Sequence, residues 1–494
     1  MRPLTRRQLL ALGAVGAGAT AAGGAGLWLT TGNGPGYTGG EGLTEPQVLA
    51  SRDRVLELDL TAAPARVRVG GRDASVQAFN GSLPGPTLRV RAGDTIRVTL
   101  RNGLRAPTNL HVHGLHVSPQ GNSDNPFVSI DPGGSFDYEF TLPEDHPPGT
   151  YWYHPHRHGH AADQVAAGLY GAIVVEDPDP VPVTRERVLV VSDLSLDAAG
   201  NLAEVDQLQQ MMGREGEIVL VNGQLRPQLR AAPGERERWR IINACPSRYL
   251  RLALDGQQVR LLSRDLGRLP IPEDVTEVVL APGNRVELLV ETRDGSSTLT
   301  AAALDRGSMN AMIGGAMRGD NESGDGPVEL LTLAVSGSAG TDPGPVPEGR
   351  PLRDLRNEPV TAARTLNFAM GMNGNMGAGM GSGQGTMMAF TINGREFDPE
   401  RLDETAAAGT VEEWTLTNSS PMDHPIHLHV WPMQIVQDGD RDVTRPKWQD
   451  VVNVPARSQV KVRVAFDDFA GRTVIHCHIL DHEDQGMMAT VQAR

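Results

Sequence analysis

The chain has 494 residues, of which 4 % are aromatic, with 57 glycines, 35 prolines and a formal net charge of −15. Such a length suits two to four domains, and the Gly- and Pro-rich profile favours short strands joined by turns over long helices. The acidic balance excludes nucleic acid as a partner, because phosphate binding needs a basic surface, whereas an acidic field concentrates cations. With two cysteines, Cys245 and Cys477, a disulfide framework is excluded too.

The chain opens with Arg6 and Arg7 ahead of an Ala/Gly-rich stretch that carries no charge until Glu41. That is the pattern of a twin-arginine export signal with its linker, over residues 1–44. Its glycine content makes it a poor spanning helix, so a periplasmic or other extracytoplasmic location is expected. If the segment is retained, it becomes a membrane anchor.

A repeat follows. "FNGSLPGPTLRVRAGDTIRVTLRN", "VNGQLRPQLRAAPGERERWRIINA" and "INGREFDPERLDETAAAGTVEEWTLTNSS" share one plan. Each has Asn-Gly, an irregular segment, a Gly turn (Gly93, Gly234, Gly409) and an alternating strand ending in Asn102, Asn243 or Asn418. Ile96, Val98 and Leu100 alternate with polar neighbours, as a half-buried strand requires. The pattern predicts an all-β chain of three β-sandwich domains near 45–178, 181–345 and 360–494. "DPDPVPV" and "DPGPVPEGRP" form the junctions.

Of the 14 histidines, eight lie between His111 and His160 and six between His424 and His482. The middle domain has none. This segregation points to one site where the first and third domains meet. Four His-x-His pairs occur: His111/His113, His154/His156, His427/His429 and His476/His478. On a strand, residues two apart share a face, so each pair presents two imidazoles together. Eight neutral imidazoles are too many for one ion, and a multi-metal cluster is implied. Between His476 and His478, Cys477 must face the other way. His424, His482 and Met487 can join it, which makes the ligand set of a blue-copper electron-transfer site. Met488 is expected in the core, as is Cys245, a small buried hydrophobe.

"HVHG", "GTYWYHPH", "HPIHLH" and "HCHILDHEDQGMM" resemble the four copper-binding motifs of multicopper oxidases, in the same order. The resemblance covers the chain after the export signal. It implies three consecutive cupredoxin-like Greek-key β-sandwiches holding four copper ions. It assigns His424, Cys477, His482 and Met487 to a type 1 copper. A type 2 copper falls to His111 and His427. The type 3 pair falls to His113, His154, His156, His429, His476 and His478. His116, His146, His158 and His160 lie outside the pattern, the last two as loop residues. The implied reaction is one-electron oxidation of a reductant at the type 1 copper, coupled to four-electron reduction of O₂ to water. Electrons pass from Cys477 to the cluster through its neighbours His476 and His478. In the family, acids placed like Glu483 and Asp124 relay protons.

Two further stretches bear on the reductant. "SMNAMIGGAMRG" holds Met309, Met312 and Met317; "FAMGMNGNMGAGMGSGQGTMM", at 370–388, holds Met370, Met372, Met376, Met380, Met387 and Met388. Thioethers select Cu(I), and the glycine-rich setting predicts that they are exposed rather than packed. Met-rich inserts near the type 1 site are characteristic of copper-tolerance oxidases, so Cu(I) is the expected reductant, with broad phenol activity. A general laccase or an Fe(II) or Mn(II) oxidase is the alternative. A non-enzymatic cupredoxin scaffold would lack ligands that this chain has. A monomer is expected.

Overall fold

The computed structural model describes residues 37–307, 327–372 and 388–494. The export signal through residue 36 and Met309, Met312, Met317, Met376, Met380 and Met387 lie outside the described residues. Among the described residues no helix is long and apolar enough to cross a membrane.

Six sheets pair into three cupredoxin-like sandwiches. In each, the first long strand runs parallel to the strand that follows the Gly turn. The pairs are Val55–Val69 with Thr95–Asn102, Arg185–Leu194 with Arg236–Asn243, and Val360–Met372 with Val411–Asn418. The middle and third units share one topology, a six-stranded sheet against a five-stranded one; the first has a four-stranded sheet against a five-stranded one. Each unit has its own core. Ile96, Val98 and Leu100 point into the first, as their alternation requires.

The repeat marks a shared hydrogen-bonding device. Asn80, Asn222 and Asn393 take φ of 53°, 51° and 53°, and each is followed by a glycine at positive φ, which is the turn that Asn-Gly favours. Their side-chain oxygens accept from the amides of Thr61, Val190 and Asn367 on the neighbouring strand. At the far end, Asn102, Asn243 and Asn418 are buried. Asn243 Nδ2 donates to the carbonyls of Arg248 and Leu280, and its Oδ1 accepts from the Cys245 amide. Asn418 does the same with Met422, Val454 and Ser420, which fixes the entry to the strand His424–Leu428.

Two sequence expectations change. The strand Arg236–Asn243 is buried along its whole length, charged residues included. Its polar face packs on the first unit, where Arg238 and Arg240 reach Asp177; within the middle unit both arginines pair with Glu287, and Arg240 also with Glu186. The methionine segment is also not uniformly exposed. Its ends are the strands Val360–Met372 and Met388–Ile392, and the alternation of Phe368, Met370, Met388 and Phe390 turns Met370 and Met388 into the third core. Packing overrides the glycine-rich composition there. Cys245 and Met488 are buried, as expected.

Replacing Asn243 by Ala leaves two buried carbonyls and one amide unpaired, and is expected to cost about 3 kcal/mol. Calorimetry of the metal-free protein tests this; a variant that melts with the parent would contradict it.

Candidate metal centres

Strand register assembles the histidines. His111–His113 pairs with Gly149–His154 so that His111 faces His154, and His424–Leu428 pairs with Gly471–Cys477 so that His427 faces His476. The two sheet edges meet at the boundary of the first and third units. There the ring of His111 stacks on His429 at 3.8 Å and that of His113 on His427 at 3.9 Å. All eight imidazoles of the His-x-His pairs are buried.

Outer hydrogen bonds decide which nitrogen points inward. The Nδ1–H groups of His111, His427 and His154 donate at 2.8 Å to Asp124, to the Asp450 carbonyl and to the Pro155 carbonyl. That of His476 lies 3.0 Å from the Cys477 carbonyl and 3.1 Å from Glu483. The Nε2 atoms therefore converge: His111 and His427 at 3.3 Å, His156 and His476 at 3.1 Å, His429 and His476 at 3.3 Å. Both ring nitrogens of His113 and His478, and Nε2 of His154, are buried without a hydrogen-bond partner among the described residues. Buried lone pairs left open in this way fit soft-to-borderline metal ions, and imidazole suits copper. Burial pushes His111, His113, His427, His429 and His478 well below the usual histidine range, and holds His154 at about 3 and His156 at about 4. Neutral imidazole is the ligand form.

The middle unit closes this site without contributing a histidine. Gly283, at φ +86°, lies against the ring of His478; a Cβ there would stand 2.9 Å from ring atoms.

On the opposite face of Gly471–Cys477, Cys477 Sγ lies 3.4 Å from His424 Nδ1 and 3.9 Å from His482 Nδ1. Met487 is buried in the same core, and its carbonyl accepts from the Cys477 amide at 3.0 Å. Burial pushes the Cys477 thiol up, so a metal ion must displace its proton to obtain the thiolate. The donor set matches a blue-copper site. The outer nitrogens are held by groups that sequence reading missed. Ser420 Oγ lies 2.7 Å from His424 Nε2, and His482 Nε2–H donates to the Met211 carbonyl at 3.1 Å. Met211 and Met212 sit half-buried on the helix α1 (Gln207–Met212), and no repeat or motif marked them.

The helix α2 (Leu480–Asp484) carries a ligand and three acids, each aimed differently. Asp481 binds Arg214 of the middle unit, and Asp484 accepts from the amides of Gly159, Ala161 and Ala162 in the first unit. Glu483 turns inward, 3.1 Å from His476 Nδ1 and 3.5 Å from His156 Nε2. Asp124, across the cluster, bonds His111 and lies 3.6 Å from His429 Nδ1; burial pushes its carboxyl up to about 8. Between the first and third units a cavity of about 230 Å³ reaches His156, with His158, Arg157 and Arg472 around it. His116 and His146 lie apart: the His116 amide donates to His146, and His116 Nδ1–H to the Val430 carbonyl.

The depressed histidines carry a pH signature. Unfolded histidines take up protons near 6.5, whereas folded His424, His154 and His156 wait until about 3 to 4. The unfolded state therefore binds more protons as pH falls through that window, and stability is lost on acidification. The melting temperature of the metal-free protein is expected to fall steadily from pH 6.5 towards 4. A flat profile would contradict neutral buried imidazoles.

The comparisons agree with this chemistry. Family models described as multicopper oxidase match residues 61–180, 186–312 and 371–494. The chain is 28 % identical over 429 residues to the multicopper oxidase mco of Staphylococcus haemolyticus, covering 84 % of this chain and 83 % of that one. It is 27 % identical to the cell division protein FtsP of Aggregatibacter aphrophilus, covering 85 % and 86 %. Among solved structures, a multicopper oxidase from Campylobacter jejuni, titled a metallo-oxidase, superposes with a TM-score of 0.80 at 29 % identity over 92 % of this chain and 96 % of that one. With its three matched domains and its buried Cys and His ligand sets, the chain belongs to the multicopper oxidase family, oxidoreductases that use O₂.

Proposed function

We propose that this oxidase takes electrons from Cu(I), with broad activity toward phenols, and acts in copper tolerance after export by the twin-arginine route to an extracytoplasmic space, as a monomer. Its copper complement is four: one type 1 ion on His424, Cys477, His482 and Met487, one type 2 ion on His111 and His427, and a type 3 pair on His113, His154, His156, His429, His476 and His478. When bound, copper supplies one-electron transfer at the Cys477 site and O₂ reduction at the histidine cluster.

The observation that carries the Cu(I) reading is where the methionine stretches join the fold. Gly307, just before the first stretch, forms a bridge with Met422, and the Asp423 amide donates to Arg306 one residue before His424. Phe390, just after the second, stacks on the His482 ring at 4.7 Å. The Met211 carbonyl holds the same histidine, and Met211 and Met212 pack against the core that contains Cys477 and Met487. The described ends of both stretches thus lie beside the Cys477 site, and thioethers are soft donors that suit Cu(I). On the same helix, Leu208 is exposed and offers apolar surface to a phenol. A non-enzymatic scaffold role has no support from missing ligands, because every ligand position is filled.

The chain's own groups do the rest. Cys477 is bonded through the backbone to His476 and His478, so the two sites share a covalent path. Asp124, 2.8 Å from His111 Nδ1, and Glu483, 3.1 Å from His476 Nδ1, are the carboxyl groups that stand beside cluster imidazoles and would relay protons there.

Replacing residues 373–387 by a short Gly-Ser linker, combined with Met211→Leu and Met212→Leu, is expected to lower kcat/KM for Cu(I) about tenfold more than for a phenol, equivalent to one lost contact of ~1.4 kcal/mol. Equal loss for both donors would sink the Cu(I) reading. Glu483→Gln is expected to slow O₂ reduction about 100-fold and to leave the blue absorption intact. Unchanged turnover would remove Glu483 from proton delivery.

A further inference from the structure

Besides Gly283, a second residue of the histidine-free middle unit reaches the cluster. Arg285 is buried to 1 % exposure, and its guanidinium joins all three units. Nε donates to the Thr150 carbonyl of the first unit at 3.0 Å, and Nη2 to the Asp265 carbonyl of its own at 3.2 Å. Nη1 donates to the carboxylate of Asp450 in the third, and the fork lies 5.5 Å over the Tyr151 ring.

Asp450 is equally enclosed. Its carbonyl accepts the Nδ1–H of His427 at 2.8 Å and the Leu428 amide at 3.3 Å. Its carboxylate lies 3.8 Å from Nδ1 of both His113 and His427. Oδ2 is buried without a hydrogen-bond partner among the described residues. One residue thus fixes with its backbone which nitrogen of His427 faces His111, while its side chain sits directly behind two ligand rings. A buried carboxylate in that position needs a fixed counter-charge, and Arg285 is the cation that meets it. Without Arg285 the carboxylate is left unpaired behind the two rings, and the residue whose carbonyl orients His427 loses its anchor on the middle unit.

We propose that Arg285 and Asp450 form a positioning pair by which the middle unit sets the orientation of His427, and so the retention of the copper held by His111 and His427. This rests on the ligand assignment given above. The pair's worth is read in metal retention, independently of turnover.

Copper-loaded full-length protein would be compared with Arg285→Met, Arg285→Lys and the charge-neutral double variant Arg285→Met/Asp450→Asn, which keeps the experiment open if the single Met variant does not fold. Arg238→Met is the control, because Arg238 is buried in the same interface and its ion pairs are with Asp177, Glu186 and Glu287, none of them ligands. Copper per chain, the type 2 electron paramagnetic resonance signal and the blue band are read after dialysis against a chelator. Arg285→Met and the double variant should hold type 2 copper about tenfold more weakly with the blue band retained. Arg285→Lys should recover part of the signal, and Arg238→Met should keep all of it. Type 2 signals at the parental level in both Arg285→Met variants would overturn the pair's role, as would equal loss in Arg238→Met. A parental protein with no type 2 signal would overturn both this role and the ligand assignment.

Discussion

Everything in this protein answers to the convergence of unprotonated imidazole nitrogens in a dry interface. His111 and His427 bring Nε2 atoms to 3.3 Å with no proton to share, because burial opposes charging and their Nδ1 protons are committed to Asp124 and to the Asp450 carbonyl; the Nε2 atoms of His156 and His476 lie 3.1 Å apart. Such lone pairs repel one another unless a cation lies among them. The protein meets this cost by locking the outer nitrogens of His111, His427, His154 and His476 to fixed oxygens. Metal binding at this boundary is therefore coupled to the packing of the first and third units.

Holding two sandwiches edge to edge around such a cluster requires that they do not slide. The third unit grips both others through the five residues of α2: Asp481 takes Arg214, Asp484 takes three amides of the first unit, and His482 and Glu483 turn inward between them. The middle unit binds the first through Asp177, which meets both Arg238 and Arg240 in the interface. Removing one partner from such a pair leaves an unpaired charge. That explains why a domain without metal ligands carries so many arginines on a face whose alternation would otherwise suggest water.

Much of the site was legible in the sequence for one geometric reason: strand alternation has a period of two. It separates Cys477 from His476 and His478 before any coordinates are known, and the structure groups Cys477 with His424 and His482, and His476 with His156 and His429. The same rule corrects the reading of the methionines. Met370 and Met388 looked exposed because their neighbours are glycines, yet they alternate in phase with Phe368 and Phe390 and pack into the core. Ser420, Met211, Arg285 and Asp450 escaped notice because each acts on a ligand far away in the chain, and nothing local to them is unusual.

By itself the sequence determined the fold, the candidate ligands and their division into two sets, because these follow from repeats, residue chemistry and strand periodicity, all local properties. The tertiary structure alone decided which nitrogen of His111, His154, His427 and His476 faces inward, which carboxylates stand beside the cluster and how the histidine-free unit takes part. Those depend on which carbonyls and side chains from distant strands arrive at Nδ1, and only the packing of three sandwiches brings them there.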